Sequence, residues 1–300
     1  MKTKLSSLII LFFAIASFSQ DDEVILIESP IVVVNAFVTD KAGNPVSGLK
    51  ETDFTIFVEG EPQKIASFST EETPFAAVIL IDTSGSMENK TSLARSAAIK
   101  FLQEIRDEDT VAIFNFDSKM HLIQDFSNSR DVEDSIFDLE AKGMTILNDA
   151  IYEACVLLSK RSELRRAVIV ISDGADTFSK RSAEKALQAA LEANVMIYTV
   201  DMSSPEAGKD RIIHQAVLKN FAEKSGGRFI AISPKITLQE AFKQIVEELG
   251  KQYTLTFSPP PSQMDGKWYS IQVKIQREGL QVRHRKGFST KPISQKTKSR

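Results

Sequence analysis

The sequence is short of the residues on which several kinds of chemistry depend. Its 300 residues include one cysteine, Cys155, so no disulfide can form within the chain. Its three histidines, His121, His214 and His284, stand far apart, with none of the close spacing of a zinc site. No Gly-x-Gly-x-x-Gly follows an apolar strand, which removes the dinucleotide-binding fingerprint, and no Gly-x-Ser-x-Gly elbow surrounds any serine. Basic residues are not in excess either: 37 Lys and Arg against 40 Asp and Glu give a formal charge of -3, whereas nucleic-acid binders carry a clustered basic face. The one basic stretch, Arg283 to Lys286 followed by Lys291, Lys296, Lys298 and Arg300, reads as a solvated strand end and a frayed terminus. At 42% apolar and 26% charged residues the chain is ordinarily globular, which argues against both disorder and a membrane bundle.

What is present begins with an export signal over residues 1–19. Lys2 and Lys4 precede an almost wholly apolar or small stretch from Leu5 to Phe18, and Ser17-Phe18-Ser19 offers small residues for cleavage. An uncleaved anchor is the other reading, but the apolar stretch falls short of the roughly 20 residues that cross a bilayer. Cleavage removes two lysines and no acid, taking the formal charge from -3 to -5. No cysteine near residue 20 could take a lipid, and export without disulfides suits a bacterial periplasm, cell surface or exterior.

The remainder divides by pattern. Residues 20–72 are β-prone: Ile31 to Val38 is rich in β-branched residues, Lys41 to Pro45 is a turn, and Phe54 to Val58 alternates toward the Glu59-Gly60 turn. Residues 251–288 resemble them, with Tyr253 to Phe257, a Pro259-Pro260-Pro261 loop, Trp268 to Gln276 and Leu280 to Arg285. Neither segment can close a core alone, so one β-sandwich assembled from both ends is expected, with residues 289–300 as a tail. Residues 73–250 alternate strand and helix. Apolar strands are expected at Phe75–Ile81, Thr110–Phe116, Ala167–Ser172, Val195–Val200 and Arg228–Ile232, with a short hairpin strand at Met120–Ile123. Helices are expected near 90–105, 131–140, 146–160, 181–193 and 211–224, the last ending at Gly226-Gly227, and a final helix opens with the capping pattern Thr237-x-x-Glu240. This alternation predicts a doubly wound, mostly parallel α/β sheet with helices on both faces.

In such sheets ligands sit beyond the carboxyl ends of the strands. There the sequence places Asp82-Thr83-Ser84-Gly85-Ser86 after the first strand, Gly143-Met144-Thr145 before the helix at 146, and Asp173-Gly174 after the strand ending at 172. Each has a plain structural explanation as a turn or a helix cap. Together they offer two carboxylates and three hydroxyls, all oxygen, which suits a hard cation such as Mg²⁺. Other polar residues read differently: Asp149 as an outer support of that site or a solvent-facing helical residue, Asp176 as a rim residue, Asn115 and Asp117 as loop polar groups. Cys155 reads as core packing, and Trp268 and Tyr269 as sandwich aromatics with a carbohydrate-binding surface as the alternative.

The order Asp82-x-Ser84-x-Ser86, Thr145, Asp173-Gly174 resembles the metal ion-dependent adhesion site of von Willebrand factor type A domains. The resemblance covers about residues 75–250. More loosely, Val38-Thr39-Asp40, Gly43, Gly48-Leu49, Asp53-Phe54 and Arg285-Lys286-Gly287-Phe288 resemble the flanks of a bacterial variety of that family. It implies that Asp82, Ser84, Ser86, Thr145 and Asp173 ligate Mg²⁺, Mn²⁺ or Ca²⁺, and that an Asp or Glu of a protein partner completes the shell. The expected function is metal-dependent protein binding of an adhesion type, without catalysis. A metal-free structural or assembly role in the envelope is the alternative. A serine hydrolase built on Ser84, Asp173 and His214 keeps the chain order of a triad but lacks the elbow around Ser84.

Overall fold

The computed structural model describes residues 31–70, 73–130, 136, 143–203 and 208–290. The expected signal at 1–19, nearly all of the helix expected at 131–140 and the tail beyond residue 290 lie outside the described residues. Among the described residues no helix is long and apolar enough to cross a membrane.

The central sheet contains β5 (Phe75–Asp82), β6 (Thr110–Phe116), β7 (Met120–Ser127), β8 (Arg165–Ser172), β9 (Val195–Asp201) and β10 (Phe229–Ala231), in the order β10-β9-β8-β5-β6-β7. All neighbours are parallel except β7, which returns antiparallel to β6 and is longer than its sequence suggested. The continuous apolar run of β5 is explained by its two buried faces. Phe75, Ala77, Ile79 and Ile81 pack with Ala97 and Phe101 of α1 (Thr91–Glu104) and with Phe242 and Ile245 of α5 (Leu238–Gly250). Ala76, Val78 and Leu80 face the other way, into a core with α2 (Leu147–Ser159), α3 (Ala183–Glu192) and α4 (Gly208–Ser225). Period-two alternation therefore distributes apolar residues to both layers, leaving no polar position in the strand until Asp82. Thr237 caps α5 by accepting from the Glu240 amide, as its spacing predicts.

The sandwich is made from both chain ends. One sheet runs β13 (Gln281–Arg283), β1 (Val32–Thr39), β11 (Tyr253–Phe257), β4 (Ser67–Ser69); the other runs β14 (Gly287–Ser289), β12 (Trp268–Ile275), β2 (Phe54–Val58), β3 (Glu61–Gln63). Both strands that flank β1 come from the C-terminal segment, with Val34 opposite Leu255 and Val38 opposite Val282. Val34, Ala36, Ile56, Leu255, Phe257 and Phe288 fill the space between the sheets.

The strand expected over 280–285 ends at Arg283, because His284 and Arg285 turn inward, and the chain joins the other sheet only at Gly287. The His284 ring accepts from the Val273 amide at 3.1 Å through Nε2, which leaves Nδ1 as the donor to the Arg285 carbonyl at 2.6 Å. Burial, opposed by that carbonyl and reinforced by the charges of Lys286 and Arg285, pushes its pKa from 6.5 down to about 4. The neutral ring thus stabilises the fold fully above about pH 6.5, and the contribution drains away as pH falls toward 4. Its size is about 3 kcal/mol. Urea unfolding at pH 7.5 and pH 4.5 should show this slope in the wild type and a flatter one in His284→Gln; equal slopes would show that the imidazole is not the titrating group.

The chain passes between the sandwich and the α/β unit beside Thr70 and Thr73 and again around residues 249–252, and both places converge on Arg165. This side chain is fully buried at the start of β8. It donates to the carbonyls of Thr70, Thr73 (3.2 Å), Leu249 (3.3 Å), Gly250 (3.4 Å) and Gln252 (2.5 Å), and to Thr254 Oγ1 at 2.9 Å. Thr254 in turn donates to Asn35 Oδ1, and Asn35 Nδ2 donates to the Leu164 carbonyl, which returns the chain of hydrogen bonds to the residue before Arg165. Nearby, Glu248 of α5 accepts from Arg228 and from Arg283 of β13.

Candidate metal centre

Asp82 is the last residue of β5, and β8 lies beside it with Ile81 opposite Ile171. From β5 the chain first moves outward to β6 and β7, then returns to the other side of β5 as β8. The carboxyl ends of β5 and β8 therefore flank the point where the winding reverses, and α1 and α2 leave toward opposite faces. Asp82 and Asp173 both sit at this crevice.

Asp82 is completely buried. One carboxylate oxygen accepts from the Ser84 amide at 2.9 Å and the other from Ser172 Oγ at 2.6 Å. Desolvation raises its pKa to about 6 despite these hydrogen bonds, and the charge of Asp173 pushes in the same direction. Ser84 is buried and its Oγ lies 3.2 Å from Ser86 Oγ, which is exposed. The Gly85 amide meets the Gly143 carbonyl at 3.4 Å, drawing the serine loop to the loop that carries Thr145. Thr145 is buried; its amide donates to Thr177 Oγ1 at 2.9 Å, and its carbonyl accepts from the amides of Thr177 and Phe178. Asp173 is half-buried and accepts from the Ala175 amide at 3.1 Å.

The three loops are thus brought to one end of the sheet and laced together by hydrogen bonds. The contacts among the five candidate ligands are Asp82 with Ser84, Ser84 with Ser86, and the electrostatic coupling of Asp82 with Asp173. Among the described residues no cluster of three or more His, Cys, Asp and Glu gathers anywhere, so a cation here would depend on hydroxyls beside two carboxylates. The donor set suits that role, because a carboxylate buried beside a second one is relieved by a positive charge, and all candidate donors are oxygen.

Several supporting residues are not visible in the sequence as such. Ser172 reads as the end of an apolar strand, yet it holds Asp82 and also accepts from the Gly174 amide. Thr83 and Asn115 join the β5 and β6 ends through a 3.0 Å hydrogen bond. Asp149 is buried, not solvent-facing, and supports the site from outside the candidate ligands: it accepts from the amides of Lys180 and Arg181 and from the Arg181 guanidinium, anchoring the loop after Asp173. Asp176 accepts from the Asn148 amide at the start of α2, so it caps that helix. The Ser172 contact depends on the pairing of β5 with β8 and the Asn115 contact on that of β5 with β6, and no local signal marks either pairing. The triad arrangement does not form: His214 presents its backbone carbonyl to Gly174, and its ring has no described hydrogen bond to Asp173 or Ser84.

Residues 77–175, which include all five candidate ligands, match the family model of the von Willebrand factor type A domain. No curated protein matches the chain. Among solved structures, the fold is similar to a von Willebrand factor type A protein from Catenulispora acidiphila, at 14% identity and a TM-score of 0.51 over 77% of this chain and 71% of that one. The conserved hypothetical protein BatB from Bacteroides thetaiotaomicron aligns at 19% identity and a TM-score of 0.49, over 58% of this chain and 98% of that one. A single-residue mutant of the PilB minor pilin from Streptococcus sanguinis aligns at 14% identity and 0.47, over 60% of this chain and 62% of the pilin, so this chain spans less than two thirds of it. At these identities the likeness concerns the fold alone, and the last two scores are too low to support any inference.

Proposed function

The chain carries a von Willebrand factor type A domain, and from that premise we propose that it is an adhesion or assembly module that presents one divalent cation to a carboxylate of a protein partner. Asp82, Ser84, Ser86, Thr145 and Asp173 would hold the ion, Mg²⁺ with Mn²⁺ or Ca²⁺ as alternatives. When bound, the ion supplies a fixed positive charge with a coordination position open to an Asp or Glu from outside. The observation that carries the reading is the complete burial of Asp82 at the reversal point of the sheet, with Asp173 close enough to raise its pKa. The reading takes the protein to be exported, on the strength of residues 1–19.

A second reading has an observation of its own. Both oxygens of Asp82 already accept hydrogen bonds from the protein, and the Thr145 and Asp173 loops are joined through Thr177. The same residues can therefore hold the loops as a metal-free scaffold of the cell envelope.

Thermal unfolding of the full chain in EDTA and then in millimolar Mg²⁺ or Mn²⁺ separates the two. A cation at about a hundred times its dissociation constant adds about 2.7 kcal/mol, raising the midpoint by on the order of 5 °C or more. Wild type is expected to shift and Asp82→Ala to stay in place. If wild type melts at one temperature in both conditions, the scaffold reading replaces the cation reading.

A further inference from the structure

Away from the cation site, α3 and the outer face of β12 and β14 enclose a groove of about 620 Å³ at the junction of the two units. That volume and position are typical of small-molecule sites. The chain's single tryptophan, Trp268, opens into it and is 47% exposed. Trp268 is not a core residue: the inward positions of β12 are taken by Ile271 and Val273, while Trp268 and Ser270 point outward. Its indole rests on the bare backbone of Gly287, where a Cβ would come within 2.6 Å of Cε2, so one side of the ring is supported and fixed. The ring therefore offers the groove a flat apolar face.

The surroundings define what could cover it. Leu187 and Leu191 supply an apolar wall on the α3 side, and polar groups line the rest: Ser270, Gln188, whose amide donates to Glu192 and accepts from Lys185, and Ser289, whose hydroxyl donates to the Gly266 carbonyl; an amide and a hydroxyl can each take a further hydrogen bond. Glu184 and Glu192 are balanced by Lys224 and Lys286. A cation would meet the two lysines, an anion the two glutamates, and a wholly apolar segment would strip water from the polar rim without replacing its hydrogen bonds. A pyranose ring offers an apolar C–H face to stack on the indole, hydroxyls that both donate and accept, and no charge. We propose that this groove binds a neutral saccharide, with Trp268 as the stacking platform and Gln188, Ser270 and Ser289 as its hydrogen-bonding partners.

Because Trp268 is the only tryptophan, emission excited selectively at tryptophan, free of the four tyrosines, reports this groove. Titration of the full chain with maltotriose, cellotriose and chitotriose is expected to give a saturable change in emission with at least one of them at millimolar concentration, and the same change in EDTA. Calorimetry with that saccharide should show Trp268→Ala weakened by about tenfold or more while its circular dichroism and melting midpoint stay those of wild type. Gln188→Ala should weaken binding less. The proposal is overturned if folded wild type responds to none of the three, if Trp268→Ala binds as well as wild type, or if an apolar peptide shifts the emission where the saccharides do not.

Discussion

Arg165→Ala is expected to lower the unfolding free energy by about 4 kcal/mol, a large part of the roughly 5–15 kcal/mol that holds a domain folded. The guanidinium satisfies five carbonyls and one hydroxyl on two segments far apart in the sequence. Removing it leaves buried acceptors short of donors, each at a cost of about 1–3 kcal/mol before relaxation and water entry reduce the sum. Arg165→Lys should recover little, because an ammonium has three donors and no planar fork with which to reach the Thr70 and Thr73 carbonyls and the 249–252 crossing together. The qualitative signature is loss of cooperativity. Wild type should unfold in urea as one transition, whereas the variants should show the sandwich and the α/β unit separating into two. A variant within about 1 kcal/mol of wild type, unfolding in a single step, would mean that the crossings are held by other contacts.

Gly227→Ala should cost about 3 kcal/mol or more and lower the melting midpoint by on the order of 10 °C. A Cβ at this position would overlap the Ile197 carbonyl oxygen and lie 2.6 Å from its carbon. Both are backbone atoms of β9, so no rotamer change relieves the clash. The start of β10 must move away from β9, taking with it the hydrogen bond from the Thr199 amide to the Arg228 carbonyl. Gly250→Ala is the matched control, since a Cβ there meets nothing within 4 Å. Thermal unfolding of the pair tests the geometry: equal midpoints would show that β10 shifts without cost.

Both positions show why sequence reading stops where it does. Gly226-Gly227 is recognisable as a helix stop, but the contact with Ile197 depends on a strand some thirty residues earlier in the chain. Arg165 reads as a polar flank before an apolar strand and gives no sign of burial. Asn35, within a run of β-branched and apolar residues, looks like a solvent-facing position of β1; its amide instead bridges Thr254 and Leu164. At the candidate cation site Asp82, Ser84, Ser86, Thr145 and Asp173 are identifiable by their order and by lying where strands end or helices start. Ser172 is not, since its hydroxyl becomes a support only when β8 pairs with β5. Asp149 stays between two readings for a related reason: a helical position says nothing about a loop that folds back onto it.

The sequence by itself determined the alternation of strands and helices, the two-faced burial of the central strands and the oxygen-only chemistry of the loops at their carboxyl ends. These follow from local period and from the functional groups each residue carries. It also implied that the end segments must share a core, because neither has enough strands to close one. Tertiary structure alone decided which strands became neighbours, and with that the reversal point between β5 and β8 and the seat of Ser172 against Asp82. It likewise decided the burial of Arg165 and the groove beside Trp268. These are long-range outcomes: register and adjacency are set by the fit of whole faces against one another, and no local stretch of the chain carries that information.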